Sequence, residues 1–238
     1  MDHMNVLDIL VIIIIAVCVL YGFYRGFLST LLKLCSFFFA WFTSLVFYPI
    51  LARILSGSPG VFDTIIYYSD GAQKIADLQS ASLPISQLTQ PEISNIVDTA
   101  NLPAHISARL DANMTAKVFE PKGLTTVNDY FNVTIANIIL NLLCFIAVFV
   151  IVWIVLSIVF NMLGGPKRLP ALRKYDGLMG GCIGFIEGIF MVYLIFSLVP
   201  AAMTVVSISG LTRYVDASLF GSFFYRTNFI IGMIPGVI

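Results

Sequence analysis

Residues 9–24 read ILVIIIIAVCVLYGFY and contain no charged side chain. A helix needs about 20 apolar residues to cross a hydrocarbon core of roughly 30 Å, and residues 5–7 extend this run beyond Asp8. Of all 238 residues, 59% are apolar and 11% are charged. An ordinary soluble domain has about 25% charged residues. This composition argues against a soluble enzyme domain, a disordered chain or a nucleic-acid-binding protein, and predicts an integral membrane protein.

Four long apolar runs predict four membrane-spanning helices. We expect the spans at about 5–23, 31–50, 135–162 and 178–200. Because the first eight residues hold two acids, we expect the first run to be a retained helix and not a signal peptide. The predicted fold is therefore all-α. Its parts are a first transmembrane hairpin (1–52), an external polar segment (53–130), a second transmembrane hairpin (131–203) and an interfacial or re-entrant C-terminal segment (204–238).

The charges between the spans predict an orientation. The two short connections carry one acid, Asp176, and six basic residues: Arg25, Lys33, Lys167, Arg168, Arg173 and Lys174. The long segment 53–129 carries five basic and eight acidic residues. Since basic loops stay in the cytoplasm, we expect both short connections there, with the termini and the long segment outside.

The external segment and the C-terminus differ from the spans. In segment 53–130, apolar residues are few and proline interrupts their pattern, so we expect short amphipathic helices packed on the membrane surface without a core of their own. Either a partner-contacting cap or a tolerated insertion fits this pattern. Near the C-terminus, Arg226 and several glycine and proline residues disfavour a fifth span.

Glycine is concentrated on two predicted spans. Gly22 and Gly26 are four residues apart at the end of span 1. Span 4 begins with five more glycines: Gly177, Gly180, Gly181, Gly184 and Gly188. Because glycine lets helix backbones approach closely, this stripe predicts a packing surface. The sequence leaves open whether its partner lies in the same chain or in a second protomer.

Four polar residues within the predicted spans are candidates for a functional or structural role. Glu187 lies near the middle of span 4, where an isolated acid is costly and marks either a proton or cation site or a structural hydrogen bond. Asn137 and Asn141 share one face of span 3 and are candidates for binding that acid or a neighbouring helix. Asp8, near the end of span 1, either joins this group or lies exposed at the interface.

No catalytic constellation is recognisable in the sequence. The histidines are His3 and His105, both outside the spans, and the four cysteines have no metal-ligand spacing. We therefore expect no enzyme activity, metal or cofactor. The expected partners are the lipid bilayer and either further copies of the chain or another membrane protein, but no nucleic acid.

Two segments together resemble the colicin V production protein (CvpA) family of bacteria. The first contains Asp8 and ends in GFYRGF at 22–27. The second contains LPAL at 169–172, then DGLMGGCIGF at 176–185 and Gly188; the family usually has asparagine in place of Asp176. The sequence ASLF at 217–220 also resembles the tail of the family.

The resemblance implies a multi-pass inner-membrane protein that supports colicin V-type toxin production or export and, more broadly, envelope homeostasis. The residues themselves leave two functions open. One is an accessory or scaffold protein that uses the glycine stripe and the external segment as contact surfaces. The alternative is a small oligomeric transporter or channel with Glu187 as its titrating group.

Overall fold

A computed structural model describes residues 5–69, 71–75, 77–100, 102, 104–162, 175–199, 202, 214–215 and 217–233. In chain order, the helices of these ranges are α1 (Val6–Arg25), α2 (Phe27–Ser56), α3 (Pro59–Ser69), α4 (Leu78–Ala81), α5 (Gln90–Thr99), α6 (Ala104–Thr115), α7 (Val127–Met162), α8 (Asp176–Phe196), α9 (Leu219–Arg226) and α10 (Phe229–Met233). Three short 3-10 turns and one isolated β-bridge, Pro84 to Thr126, complete the regular structure of the described part. The all-helical prediction is confirmed.

Four of these helices are long and apolar enough to cross a membrane: α1, α2, α8 and residues Val127–Phe160 of α7. They correspond to the four predicted spans, but α2 and α7 are longer than predicted. The 36 residues of α7 extend about 54 Å, well beyond a hydrocarbon core of about 30 Å. The difference arises because polar residues end an apolar run without ending the helix.

The described residues form two compact units. The first unit takes those within residues 1–47, 145–197 and 209–230, and the second those within 48–144, 198–208 and 231–238. In the first unit, α1 packs along α8, and α9 packs against both. Aromatic rings from α2 and α8 also meet there: the centroids of Phe38 and Phe190 are 4.8 Å apart in an edge-to-face arrangement.

The second unit contains a hydrophobic core. Its buried members are Ile75, Ile85, Ile93, Val97, Ala100, Leu110, Met114, Phe119, Val127, Tyr130 and Phe131. The expectation that segment 53–130 has no core of its own is therefore wrong. Short helices and turns each contribute one or two apolar side chains, and the first turn of α7 contributes three. Because these residues are dispersed along the sequence, composition alone conceals the core.

The remaining predicted segments are described only in part. The described C-terminal helices α9 and α10 have eight and five residues, too few for either to cross a membrane. The position of this segment at the interface stays a prediction. Four of the basic residues used for the orientation, Lys167, Arg168, Arg173 and Lys174, lie outside the described residues.

Candidate functional site

The glycine stripe of α8 lies against α1 of the same chain. A Cβ atom built on Gly180 would overlap the carbonyl oxygen of Gly22, and one built on Gly184 would overlap the carbonyl oxygen of Cys18. At Gly188 the corresponding distance to the Cα of Ile15 is 3.1 Å. The two backbones therefore touch where side chains are missing. The question that the sequence left open is answered for this surface, since its partner is α1.

The predicted glycines do not contribute equally. A Cβ atom on Gly177 would lie 3.1 Å from the carbonyl oxygen of Phe23, again a tight contact. On Gly181 the nearest atoms, in Val19, would be 3.8 Å away, which is an ordinary packing distance. The face of α8 through Gly177, Gly180, Gly184 and Gly188 is thus the contact face, and Gly181 lies at its edge.

Gly26 forms the turn between α1 and α2. Its φ angle of +85° favours glycine, and a Cβ atom there would overlap the carboxylate of Asp176. This carboxylate accepts a 2.9 Å hydrogen bond from the backbone N–H of Phe27, the first residue of α2. The Thr30 hydroxyl donates to the Gly26 carbonyl oxygen at 2.8 Å. The start of α8 therefore caps the start of α2, a role for Asp176 that sequence reasoning missed.

Asp176 has a chemically simple role in this turn. A side-chain oxygen at this position accepts a backbone N–H, and the amide oxygen of asparagine is able to accept the same bond. The asparagine that the resemblance implies at this position would fit the same contact. The only signal in the sequence was an acid in the first turn of a helix, which is too common to reveal a contact with a distant residue.

Glu187 forms an ion pair with Lys33. Its Oε1 lies 2.9 Å from the Lys33 Nζ, and the glutamate side chain is 1% exposed, against 28% for the lysine. The description of Glu187 as an isolated acid is therefore wrong. Lys33 lies within α2, about 9 Å along the axis from the start of the helix at Phe27, and its position on the cytoplasmic side stays a prediction. Neither asparagine is needed to compensate the acid.

Aromatic rings surround the cationic end of this ion pair. The Lys33 Nζ lies 4.3 Å from the ring centroid of Tyr21 and 5.9 Å from that of Trp153. Arg25 places its guanidinium 5.4 Å from the same Tyr21 ring. Such contacts stabilise a cation that has lost water. The Lys33–Glu187 ion pair therefore links α2 to α8, and its two charges compensate each other.

Asp8 is buried at the beginning of α1. Its Oδ1 accepts hydrogen bonds from the Ser218 hydroxyl at 2.7 Å and from the Phe220 backbone N–H at 2.8 Å. Its Oδ2 accepts from the Asn5 backbone N–H at 3.0 Å. Asp8 thus connects α1 to the start of α9. The alternative of an exposed position at the interface is wrong, since the residue is buried.

Asn137 and Asn141 lie on α7 in the second unit. Both are buried, as expected for polar residues on one face of this helix. Asn137 lines a pocket of about 330 Å³ together with Arg53, Ser56 and Lys122. The two asparagines are therefore part of a different structural unit from Glu187.

The four long apolar helices, the close glycine contact and the buried polar pairs are the features of a helical membrane protein. Within this class the chain belongs to the colicin V production protein family, whose model matches residues 7–83 and 106–234. The unmatched residues between these ranges contain α5. No curated protein and no solved structure matches the chain.

Proposed function

We propose that this chain is a non-catalytic accessory protein of the bacterial inner membrane. In this role it supports the production or export of a colicin V-type toxin and, more broadly, envelope homeostasis. Family membership supports the link to colicin V production. The observation that carries the accessory role is the internal use of the polar groups in the apolar helices.

Three carboxylates of the first unit are held by contacts within that unit. Glu187 pairs with Lys33, Asp8 binds the start of α9, and Asp176 caps α2. A group that carries ions or protons must exchange its partners during each cycle, and a buried compensated pair opposes this. These contacts support a fixed frame. No observation favours the transporter alternative, and we do not propose it.

The second unit supplies a surface for a protein partner. Its core gives the segment that follows α2 a defined shape. On α3, the neighbouring side chains of Tyr67 and Tyr68 are 77% and 64% exposed, with ring centroids 5.4 Å apart. Tyrosine is enriched at protein interfaces because it combines a large apolar ring with a hydrogen-bonding group. We therefore assign the partner contact to this pair of rings.

The proposed orientation places the short basic connections in the cytoplasm and the second unit's loop segment outside. It is testable with single cysteines in a variant that lacks the four native ones. Ser86→Cys, on an exposed residue of the long segment, is expected to react with a membrane-impermeant maleimide in intact spheroplasts. Tyr175→Cys is expected to react only after permeabilisation. The reverse pattern contradicts the orientation.

The function is tested in cells that carry genes for colicin V production. Removing this protein is expected to lower the amount of toxin released, and the wild-type gene is expected to restore it. The double variant Tyr67→Ala/Tyr68→Ala is expected to insert normally but not to restore release. Tyr214→Ala, on an exposed tyrosine of the first unit, is the matched control.

The assembly is tested by weighing the complex purified from its native membrane in mild detergent. We expect a stoichiometric second protein with the wild type and with Tyr214→Ala, and its loss with the double tyrosine variant. A homo-oligomer without a second protein contradicts the proposal. Ion flux in liposomes that is lost on Glu187→Gln supports the transporter alternative instead.

A further inference from the structure

The pocket of about 330 Å³ in the second unit has both charged and apolar walls. Its lining residues come from the end of α2, from α3, from the turn before α7 and from α7 itself: Arg53, Ser56, Phe62, Lys122, Leu124, Val133 and Asn137. This volume lies at the lower end of the range for small-molecule sites. It fits a compact group better than an extended ligand.

The charges of the lining are all positive. Arg53 and Lys122 are exposed, and within the described part of the chain neither forms an ion pair with a carboxylate. No acidic residue is among the described residues that line the pocket. Two uncompensated cations around one concavity attract an anion, and guanidinium and ammonium groups both donate strong hydrogen bonds to phosphate oxygens.

A side-chain amide adds a neutral hydrogen-bonding group to the lining of the pocket. Asn137 is 3% exposed and lines the pocket, so this residue borders the cavity from α7. A side-chain amide has two N–H donors, and a ligand oxygen in the pocket is a suitable acceptor for one of them.

The sequence places this pocket at the edge of the apolar region. The uncharged run 34–52 of α2 ends at Arg53, and Lys122 precedes α7 by a few residues. Such a boundary corresponds to the headgroup layer of a bilayer, where arginine and lysine side chains reach the phosphates of the lipid headgroups. The apolar side chains of Phe62, Leu124 and Val133 would then contact the part of the ligand next to its phosphate.

We propose that this pocket binds a phosphate-bearing anion. The phosphate oxygens accept hydrogen bonds from Arg53, Lys122 and the Asn137 amide. The same chemistry is available from the headgroup of an anionic phospholipid and from a soluble phosphate ester. This site is independent of the proposed accessory function, since it uses neither the exposed tyrosines of α3 nor the contacts of the first unit.

The test is a binding titration of the full-length protein in detergent, followed by intact mass spectrometry. Phosphatidylglycerol and glycerol 3-phosphate are the two probes. For the probe that binds, the double variant Arg53→Gln/Lys122→Gln is expected to weaken binding about tenfold or more, because each change removes a charge-assisted hydrogen bond. Lys117→Gln is the matched control. It removes one exposed charge from the same segment but lies outside the pocket lining, and it is expected to bind as the wild type does.

Asn137→Leu probes the buried amide with a side chain of similar size and is expected to weaken binding severalfold. Asn137 is buried, so Asn137→Leu could fail to fold. In that case the proposal is judged from the double variant Arg53→Gln/Lys122→Gln, whose two residues are exposed. Binding of phosphatidylglycerol alone assigns the site to the membrane, and binding of glycerol 3-phosphate alone assigns it to a soluble ester. The proposal is overturned if neither probe binds the wild type, or if the double variant binds both as tightly as the wild type does.

Discussion

The α1–α8 contact of the first unit and the core of the second unit are built from different kinds of residue. In the first unit, Ile13, Val17 and Leu20 of α1 are exposed, and α1 meets α8 through glycine backbones. In the second unit, Leu110 and Met114 are fully buried. The α1–α8 contact is thus built from small groups, although the first unit also buries aromatic rings such as Phe37 and Phe149, whereas the described core of the second unit is built from large apolar side chains.

We attribute this difference to the solvents expected for the two regions, lipid around α1 and α8 and water around the core of the second unit. Lipid tails are as apolar as leucine, so burying a leucine between membrane helices brings little gain, and close packing and hydrogen bonds hold such helices together. In water the burial of apolar surface is the main favourable contribution. The first unit should therefore be sensitive to added volume and lost charge partners, and the second to lost apolar volume.

The largest effect is expected from breaking the buried ion pair on one side only. Lys33→Met leaves the Glu187 carboxylate buried without its partner, which costs about 3–5 kcal/mol in stability. Glu187→Gln is expected to cost less, because Lys33 is partly exposed and keeps its contact with Tyr21. The measurement is the unfolding free energy in mixed micelles.

The double variant Lys33→Met/Glu187→Met is the control for this comparison. Replacing both charges with apolar side chains removes the uncompensated group, so stability is expected to return to near the wild-type value. If the double variant is as unstable as Lys33→Met alone, the broken ion pair is not the reason for the loss of stability.

The second effect concerns the core of the second unit. Leu110→Ala leaves a cavity among Ile93, Met114 and their neighbours, with an expected cost of about 2–5 kcal/mol. Leu83→Ala, the same change at an exposed leucine, is expected to cost far less. Limited proteolysis is expected to cut segment 53–130 sooner in Leu110→Ala than in Leu83→Ala. Equal cleavage of both variants would contradict a core at Leu110.

The third effect compares two glycines on one helix. A methyl group on Gly184 overlaps the Cys18 backbone, so Gly184→Ala must separate α1 from α8, at an expected cost of about 1–3 kcal/mol. Gly181→Ala meets only ordinary contacts and is expected to be neutral or slightly stabilising, because alanine favours helix. The thermal unfolding temperatures of the two variants in one detergent measure this difference, and equal shifts would contradict the assigned contact face.

Local sequence signals were sufficient for the elements that depend on neighbouring residues. The four spans follow from apolar runs, and the close helix contact follows from glycines spaced three or four apart. The buried ion pair could not be predicted in this way. It depends on the direct start of α2 after Gly26 and on the rotation of α2 about its axis, and neither is encoded in the hydropathy of either helix.

The core of the second unit was missed for a related reason. Ile75 and Phe131 are 56 positions apart, and between them each short element contributes only a few apolar residues. A local pattern cannot show that such residues meet. The pocket around Asn137 has the same origin, since Arg53 and Lys122 come together only when α2, the loop segment and α7 pack within one unit.

The smallest effect concerns the start of α5, where the second unit depends on an exposed charge. The Glu92 carboxylate accepts 2.7 Å hydrogen bonds from the Thr89 backbone N–H and from its hydroxyl. These bonds hold the pKa of Glu92 below its ordinary value. A folded-state pKa below the unfolded one gives a contribution to stability that is present above the unfolded pKa. That contribution is lost as the pH falls through the folded pKa.

Hydrogen exchange of the α5 amides, corrected for its intrinsic pH dependence, measures this contribution. Protection is expected to decrease between pH 6 and pH 3 in the wild type. In Glu92→Gln the amide oxygen keeps part of the cap but does not titrate, so the decrease is expected to be smaller. The hydrogen bond from Ser94 of α5 to Asp111 of α6 is the same in both proteins, so the difference between them isolates Glu92. An equal decrease in both proteins would show that the cap does not control the start of α5.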